Sequence, residues 1–247
     1  MADTNNLELK DKYTYGILVK CCEKYKSDIK FNEKINKELS NKKRRNENFP
    51  SDISENIVKF AIAKKHGIMP NWDTEKGDLV IEIPGQKNQQ IEVKGFMSSG
   101  PSSFGPKEHW DRIYFVDAID FENMRFKVFE IQLSDLSEKW RSIKITGSEY
   151  TLVDIPELPE NIEKLKLTEL RELCKNRGHK VSGKKNELID SLQTLEPGSK
   201  YREPKTYGQI ADENRRGQLR GGFYSVFQPE LETHCELIFD GHISELQ

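Results

Sequence analysis

Asp78, Glu92 and Lys94 are the residues of this chain best spaced to do chemistry together. Glu92 and Lys94 stand two apart in Gln90-Ile91-Glu92-Val93-Lys94-Gly95, and Asp78 opens the preceding run Asp78-Leu79-Val80-Ile81-Glu82-Ile83. Two carboxylates held close repel each other unless a cation lies between them, and hard divalent ions such as Mg2+ prefer such oxygen ligands. A metal held there polarises a phosphoryl oxygen and acidifies a bound water. A neighbouring ammonium can orient that water or stabilise the charge that develops. An acid followed by acid-x-Lys is therefore a minimal set for phosphodiester hydrolysis. The same residues also fit a plainer role, because Glu-x-Lys on a strand is a common solvated cross-strand ion pair.

The elements that must position these groups are two strands. Both runs alternate in hydrophobicity, with β-branched residues gathered on one side, the pattern of half-buried strands. Pro84-Gly85-Gln86-Lys87-Asn88 between them is turn chemistry, so the pair predicts a hairpin. The two-residue period of a strand turns Ile91 and Val93 to the core and Glu92 and Lys94 to the other face, with Asp78 across from them. Glu82 has the parity of Asp78 and is a further candidate ligand. The constellation Asp78 … Glu92-Val93-Lys94 resembles the catalytic motif of the PD-(D/E)XK nuclease superfamily, with Gly77 standing where that motif has proline. The resemblance implies an α/β (α+β) fold, a mixed-sheet core flanked by helices. It also implies Mg2+ as cofactor, held by Asp78 and Glu92 with the Val93 carbonyl, and Lys94 as the group orienting the attacking water. In-line hydrolysis would leave a 5′-phosphate.

The surrounding chain supplies the context such a core needs. Tyr15, Leu18, Val19, Cys22 and Tyr25 recur at helical spacing, and a second helix opens at Ser51, read as its cap. Ile53, Ile57, Phe60 and Ala61 give that helix a buried face, and His66-Gly67 ends it. Related nucleases often carry an acid on the helix before the hairpin, which points to Glu55; a first-turn glutamate favoured by the helix dipole would look the same. Past the hairpin, Ser98, Ser99, Ser102, Ser103 and Lys107 lie in a Gly/Pro/Ser-rich loop able to approach DNA or serve as a plain connector. A short helix is expected over residues 107–110. Residues 113–118 read as a buried central strand, and residues 126–131 continue the sheet.

Residues 161–195 carry a second pattern. Leu167, Leu170 and Leu173 mark one short helix ended by Arg177-Gly178, and Leu188, Ile189 and Leu192 mark another after Val181-Ser182-Gly183-Lys184-Lys185. The segment closely resembles the SAP motif, a small helical DNA-binding module, departing from it at His179, where leucine is usual, and at Ser191, where arginine is usual. Ser182, Gly183, Lys184 and Lys185 would offer backbone amides and ammonium groups to phosphate at a helix N-terminus. A helical hairpin that only pads the core is the alternative. Further on, Arg202, Lys205, Arg215, Arg216 and Arg220 surround glycines before an apolar run at 223–227 and a closing strand at 235–241. These ends look similar to those of some type II restriction endonucleases. The expected organisation is a nuclease domain in two parts, 1–158 and 197–247, interrupted by the SAP-like module at 159–196.

Composition bounds these readings. Hydrophobic residues make up 35% of the 247 and charged residues 32%, with a formal charge of −2. This suits a strongly hydrated protein, and no apolar run approaches the length of a membrane span. Cys21, Cys22, Cys174 and Cys235 have neither zinc spacing nor a secretory framework, which predicts an intracellular setting, cytoplasmic, or nuclear in a eukaryotic source. The five histidines form no metalloprotease or His-Asn-His signature and read as surface or capping residues. The combined expectation is a Mg2+-dependent endonuclease of double-stranded DNA, of the type II site-specific kind, acting as a homodimer. A repair or junction-resolving nuclease, or a non-catalytic SAP-type DNA-binding protein, are the alternatives.

Overall fold

β-Branched and aromatic runs too short for helices dominate residues 79–131, and their apolar side chains alternate or run continuously, so they assemble as a sheet. The computed structural model of the chain describes residues 4–39, 48–72, 78–98, 101–102, 104–105, 108–144, 150–154, 158–194, 200–213 and 221–247. Two helices come first, α1 (Thr4–Glu38) and α2 (Ser51–His66), then strands β1 (Asn71–Trp72), β2 (Leu79–Ile81), β3 (Gln89–Phe96), β4 (Pro101–Ser102), β5 (Arg112–Asp117) and β6 (Arg125–Ile131). The chain continues through α3 (Glu138–Arg141), β7 (Tyr150–Asp154), α4 (Leu167–Asn176), α5 (Lys185–Gln193), β8 (Lys200–Pro204), α6 (Tyr207–Asp212), β9 (Gly221–Gly222), α7 (Gln228–Glu230) and β10 (Cys235–His242). Among these helices none is long and apolar enough to cross a membrane.

The main sheet has the order β1-β2-β3-β5-β6-β10, with β3 and β5 parallel and the other neighbours antiparallel. The fold is thus the expected α/β one, a mixed sheet flanked by helices. β2 and β3 form the predicted hairpin, Leu79 opposite Ile91 and Ile81 opposite Gln89. β5 is the predicted central strand and is buried on both faces. Tyr114 and Val116 join Ile91, Ile57 and Ile62 beneath α1 and α2, while Ile113 and Phe115 join Phe104, Trp110, Trp140, Tyr207 and Phe227 on the opposite face. β10 closes the sheet against β6, with a bulge between Leu237 and Phe239.

Packing fixes α2 more than propensity does, since Ile53, Ile57, Val58 and Ile62 are β-branched yet all buried. Each contributes roughly 1.5–3 kcal/mol on burial, well above the few tenths by which they disfavour a helix. Gly67 ends the helix at φ 69°, a left-handed conformation, and donates its N–H to the Ala63 carbonyl at 2.9 Å. The cap differs from expectation: Pro50 occupies the N-cap position, Ser51 is the first helical residue, and Ser54 Oγ bonds back to the Ser51 carbonyl.

A further expectation gives way. Residues 108–110 run without helical structure, because Trp110 is drawn into the second core and the backbone follows it. The described part of the connection from β3 to β5 holds no helix either; instead β4 pairs with β9, Pro101 opposite Gly222 and Ser102 opposite Gly221. His66 and His109 are exposed, as expected of surface residues, and each also reaches a buried acid. His66 Nε2 lies 3.1 Å from the fully buried Glu130, which Arg112 and the Tyr114 hydroxyl also reach at 2.7 and 2.8 Å. His109 Nδ1 lies 2.7 Å from Asp135.

The helical module folds around Ile162, Leu170, Cys174, Leu188, Ile189 and Leu192. Its two departures from the motif meet: Ser191 Oγ lies 2.8 Å from His179 Nδ1. The flanking strands β7 and β8 pair antiparallel, Asp154 with Lys200 near the module and Tyr150 with Pro204 nearer the core. Beyond them Lys144 bridges Thr206, and Arg141 clasps Asp212 at 2.7 and 2.8 Å, tying α3 to α6.

Candidate active site

The hairpin brings three of the four predicted catalytic residues together. Asp78 donates its N–H to the Ile91 carbonyl at 3.2 Å, and its carboxylate accepts the Val93 N–H at 2.7 Å. β2 therefore begins just after Asp78, which already bonds to β3, and an acidic group is fastened between Glu92 and Lys94. On β3, Lys94 Nζ lies 2.5 Å from Glu92 Oε1. Glu92 is only 6% exposed. Alternation alone assigned it to an open face, but β5 and the second core shelter that face. Glu82 falls past the end of β2 and is exposed, so it is no part of this group.

Glu55 enters from α2, in the helix turn that lies over Gly95. A Cβ on Gly95 would come within 2.6 Å of the Phe49 ring and 2.9 Å of Ser54 Cβ, so glycine is what lets α2 approach the strand this closely. Burial, then the charges of Asp78, Asp52 and Glu92, push the Glu55 carboxyl up to about 8. Burial likewise pushes Glu92 up to about 7, with Asp78 adding to the rise and Lys94 opposing it. Asp78 is raised by burial, against the pull of the Val93 N–H and Lys94. Lys94 is raised as well: burial lowers it, but Glu92 and Glu108 outweigh burial. Asp78 raises Glu92, and both raise Glu55, so three desolvated carboxyls stand near one ammonium in a site short of positive charge. A hard divalent cation fits such a set chemically. Among the described residues no three His, Cys, Asp or Glu side chains are arranged to enclose an ion. Mg2+ characteristically takes one or two protein carboxylates and completes its shell with water and phosphate.

Glu108 was not among the residues expected here. Its Oε2 lies 3.0 Å from Lys94 Nζ. It is fourteen residues beyond Lys94 across a Gly/Pro-rich loop, and nothing in local periodicity marks it.

The predicted DNA contacts are dispersed. Ser98 is exposed just past β3, Ser102 belongs to β4, and Arg202 belongs to β8, opposite Leu152. Lys205 Nζ pairs with Glu213 at 2.6 Å. Ser99, Ser103, Lys107, Arg215, Arg216 and Arg220 lie outside the described residues. In the helical module Ser182 and Lys184 are exposed, Gly183 has φ 147°, and Lys185 starts α5. The Lys184 amide, expected to be open to phosphate, instead donates to Glu187 Oε2 at 3.0 Å. Glutamate three residues into the helix satisfies that orphan donor, as in a capping box. That one amide is therefore not open to an anion.

A family model described as Bsp6I restriction endonuclease matches residues 18–154, more than half of the chain, and a SAP domain model matches residues 161–196. The first match contains Glu55, Asp78, Glu92, Lys94 and Glu108. No curated protein and no solved structure matches the chain.

Proposed function

The chain belongs to the Bsp6I restriction endonuclease family and carries a SAP domain, and from that premise we propose that it is a Mg2+-dependent type II endonuclease that cuts double-stranded DNA at a defined site. The observation that carries the chemistry is the Lys94 ammonium 2.5 Å from the buried Glu92, with Asp78 fastened to the intervening residue by the Val93 N–H. Asp78 and Glu92 would hold the cation, with Glu55 within electrostatic reach and the Val93 carbonyl alongside. The ion would polarise the phosphoryl oxygen and lower the pKa of a bound water. Lys94 would stand beside the reacting phosphate and orient the nucleophile or offset the charge that builds on the phosphoryl oxygens. In-line attack would leave a 5′-phosphate.

The SAP domain would hold the duplex through Ser182, Gly183, Lys184 and Lys185. The Ser-rich loop and the basic residues from Arg202 to Arg220 would add further contacts to the DNA. The nuclease domain is discontinuous in this reading, 1–158 and 197–247, with the module inserted at 159–196. Its support is the pairing of β7 with β8 on either side of the module and of β10 with β6 in the main sheet. Cutting both strands takes two active sites, so a homodimer acting inside the cell is the expected form.

Purified protein incubated with long unmodified duplex DNA, with Mg2+ or with EDTA, tests this reading. Discrete fragments that require Mg2+ and carry 5′-phosphates are the expected result. Cleavage confined to branched DNA would make it a junction-resolving enzyme, and binding without any cleavage would reduce it to a DNA-binding protein.

A further inference from the structure

The Lys94 ammonium is shared between two carboxylates, and the second of them, Glu108, lies outside the acid-x-Lys motif. Glu108 reaches it because the chain on either side is pinned. Phe104 and Trp110 are each 2% exposed, with ring centroids 5.8 Å apart in the second core. Between these anchors the Glu108 N–H donates to the Gly105 carbonyl at 3.3 Å. Gly105 lies so close that a Cβ there would sit 3.1 Å from Glu108 Oε1. Phe104 also lies beneath the ammonium, its ring centroid 5.4 Å from Lys94 Nζ. Phe104 and Glu108, close together in sequence, thus supply both the aromatic ring under Lys94 and its second carboxylate.

Charge counting gives this carboxylate a task. Glu92 already gives one oxygen to Lys94, and a cation drawn to its other oxygen would share its negative charge and repel the ammonium. With no second anion, Lys94 would be driven from the place where a phosphate reacts. We propose that Glu108 is a positioning residue of the nuclease site, holding the Lys94 ammonium beside the reacting phosphate while Glu92 serves a cation. The proposal rests on the nuclease reading above and acts through Lys94, with Glu108 itself touching neither DNA nor the reacting atoms.

Two measurements on the full chain test it. The first follows the Lys94 side-chain ammonium resonance without and with Mg2+, assigned by its disappearance in Lys94→Met. The resonance should persist under both conditions in the wild type and in Glu108→Asp, whereas in Glu108→Ala, where Glu92 alone holds the ammonium, it should be lost to exchange with water once Mg2+ is added. The second separates kcat from KM for DNA. Glu108→Ala should lower kcat about 10–100-fold, the usual cost of losing a group that orients a catalytic side chain, with KM within about twofold. Glu108→Gln, which can accept a hydrogen bond but carries no charge, should fall between, and Glu108→Asp should recover most of the loss. A Lys94 resonance in Glu108→Ala that is unchanged by Mg2+, or a kcat within about twofold of wild type, overturns the proposal. If the wild type cuts no DNA, the nuclease reading fails, and the resonance still decides whether Glu108 holds Lys94.

Discussion

Replacing Glu55 with glutamine should make the metal-free protein less sensitive to rising pH. Glu55 is 9% exposed. Burial, then the charges of Asp78, Asp52 and Glu92, raise its carboxyl from an ordinary 4.5 to about 8. A carboxyl raised on folding holds its proton more tightly in the folded chain than in the unfolded one. Its contribution to stability is therefore complete below pH 4.5 and is lost as pH rises through about 8. Inside that window the folded chain carries about one extra proton, and stability declines by about 1.4 kcal/mol per pH unit from this group. Between about pH 5 and about pH 7 the wild type should lose about 2–3 kcal/mol relative to Glu55→Gln, which stays neutral throughout. For a chain of this length that is a relative Tm change of about 5–10 °C. Thermal unfolding in EDTA across this range, followed by the fluorescence of buried Trp110 and Trp140, reads it directly. A difference in Tm between the two proteins that does not change with pH would refute the account of a buried, acid-crowded carboxyl.

Other consequences are equally concrete. Gly95→Ala should lower stability by about 1–3 kcal/mol in thermal unfolding, because its Cβ would press on Phe49 and Ser54 and lift the start of α2 from β3. Joint replacement of Lys184 and Lys185 by alanine should weaken duplex binding similarly for all sequences, and reduce the slope of log affinity against log salt by up to about two. In the helical module Ser191→Ala should cost about 1 kcal/mol by leaving His179 Nδ1 without its partner, measured by chemical unfolding. His179→Leu should cost less, since it also removes the buried Nε2 that has no hydrogen-bond partner, and adding Ser191→Ala to it should cost little more.

The hairpin was legible in the sequence because strand alternation and a Pro-Gly turn are local signals, and they set Asp78, Glu92 and Lys94 in register. The burial of Glu92 was not legible: it comes from β5 lying parallel beside β3 and from the second core, whose members are brought together from positions as distant as Phe104 and Phe227. Glu108 was invisible for the same reason, since it stands fourteen residues beyond Lys94 and the anchors Phe104 and Trp110 look like any core aromatics. The expected helix before Trp110 failed because the demand to bury that ring overrode a weak local tendency. His179 and Ser191 each looked like a defect in the motif when taken singly, and only their contact shows that one departure accommodates the other.

Single-turnover cleavage by the wild type, Asp78→Asn, Glu92→Gln and Lys94→Met, with DNA affinity measured on the same samples, tests the central claim most directly. The predicted result is binding within about twofold of wild type for every variant and cleavage slower by at least about 100-fold. Any of the three variants cutting at the wild-type rate, or a wild type that binds DNA in Mg2+ and leaves it whole, would contradict it.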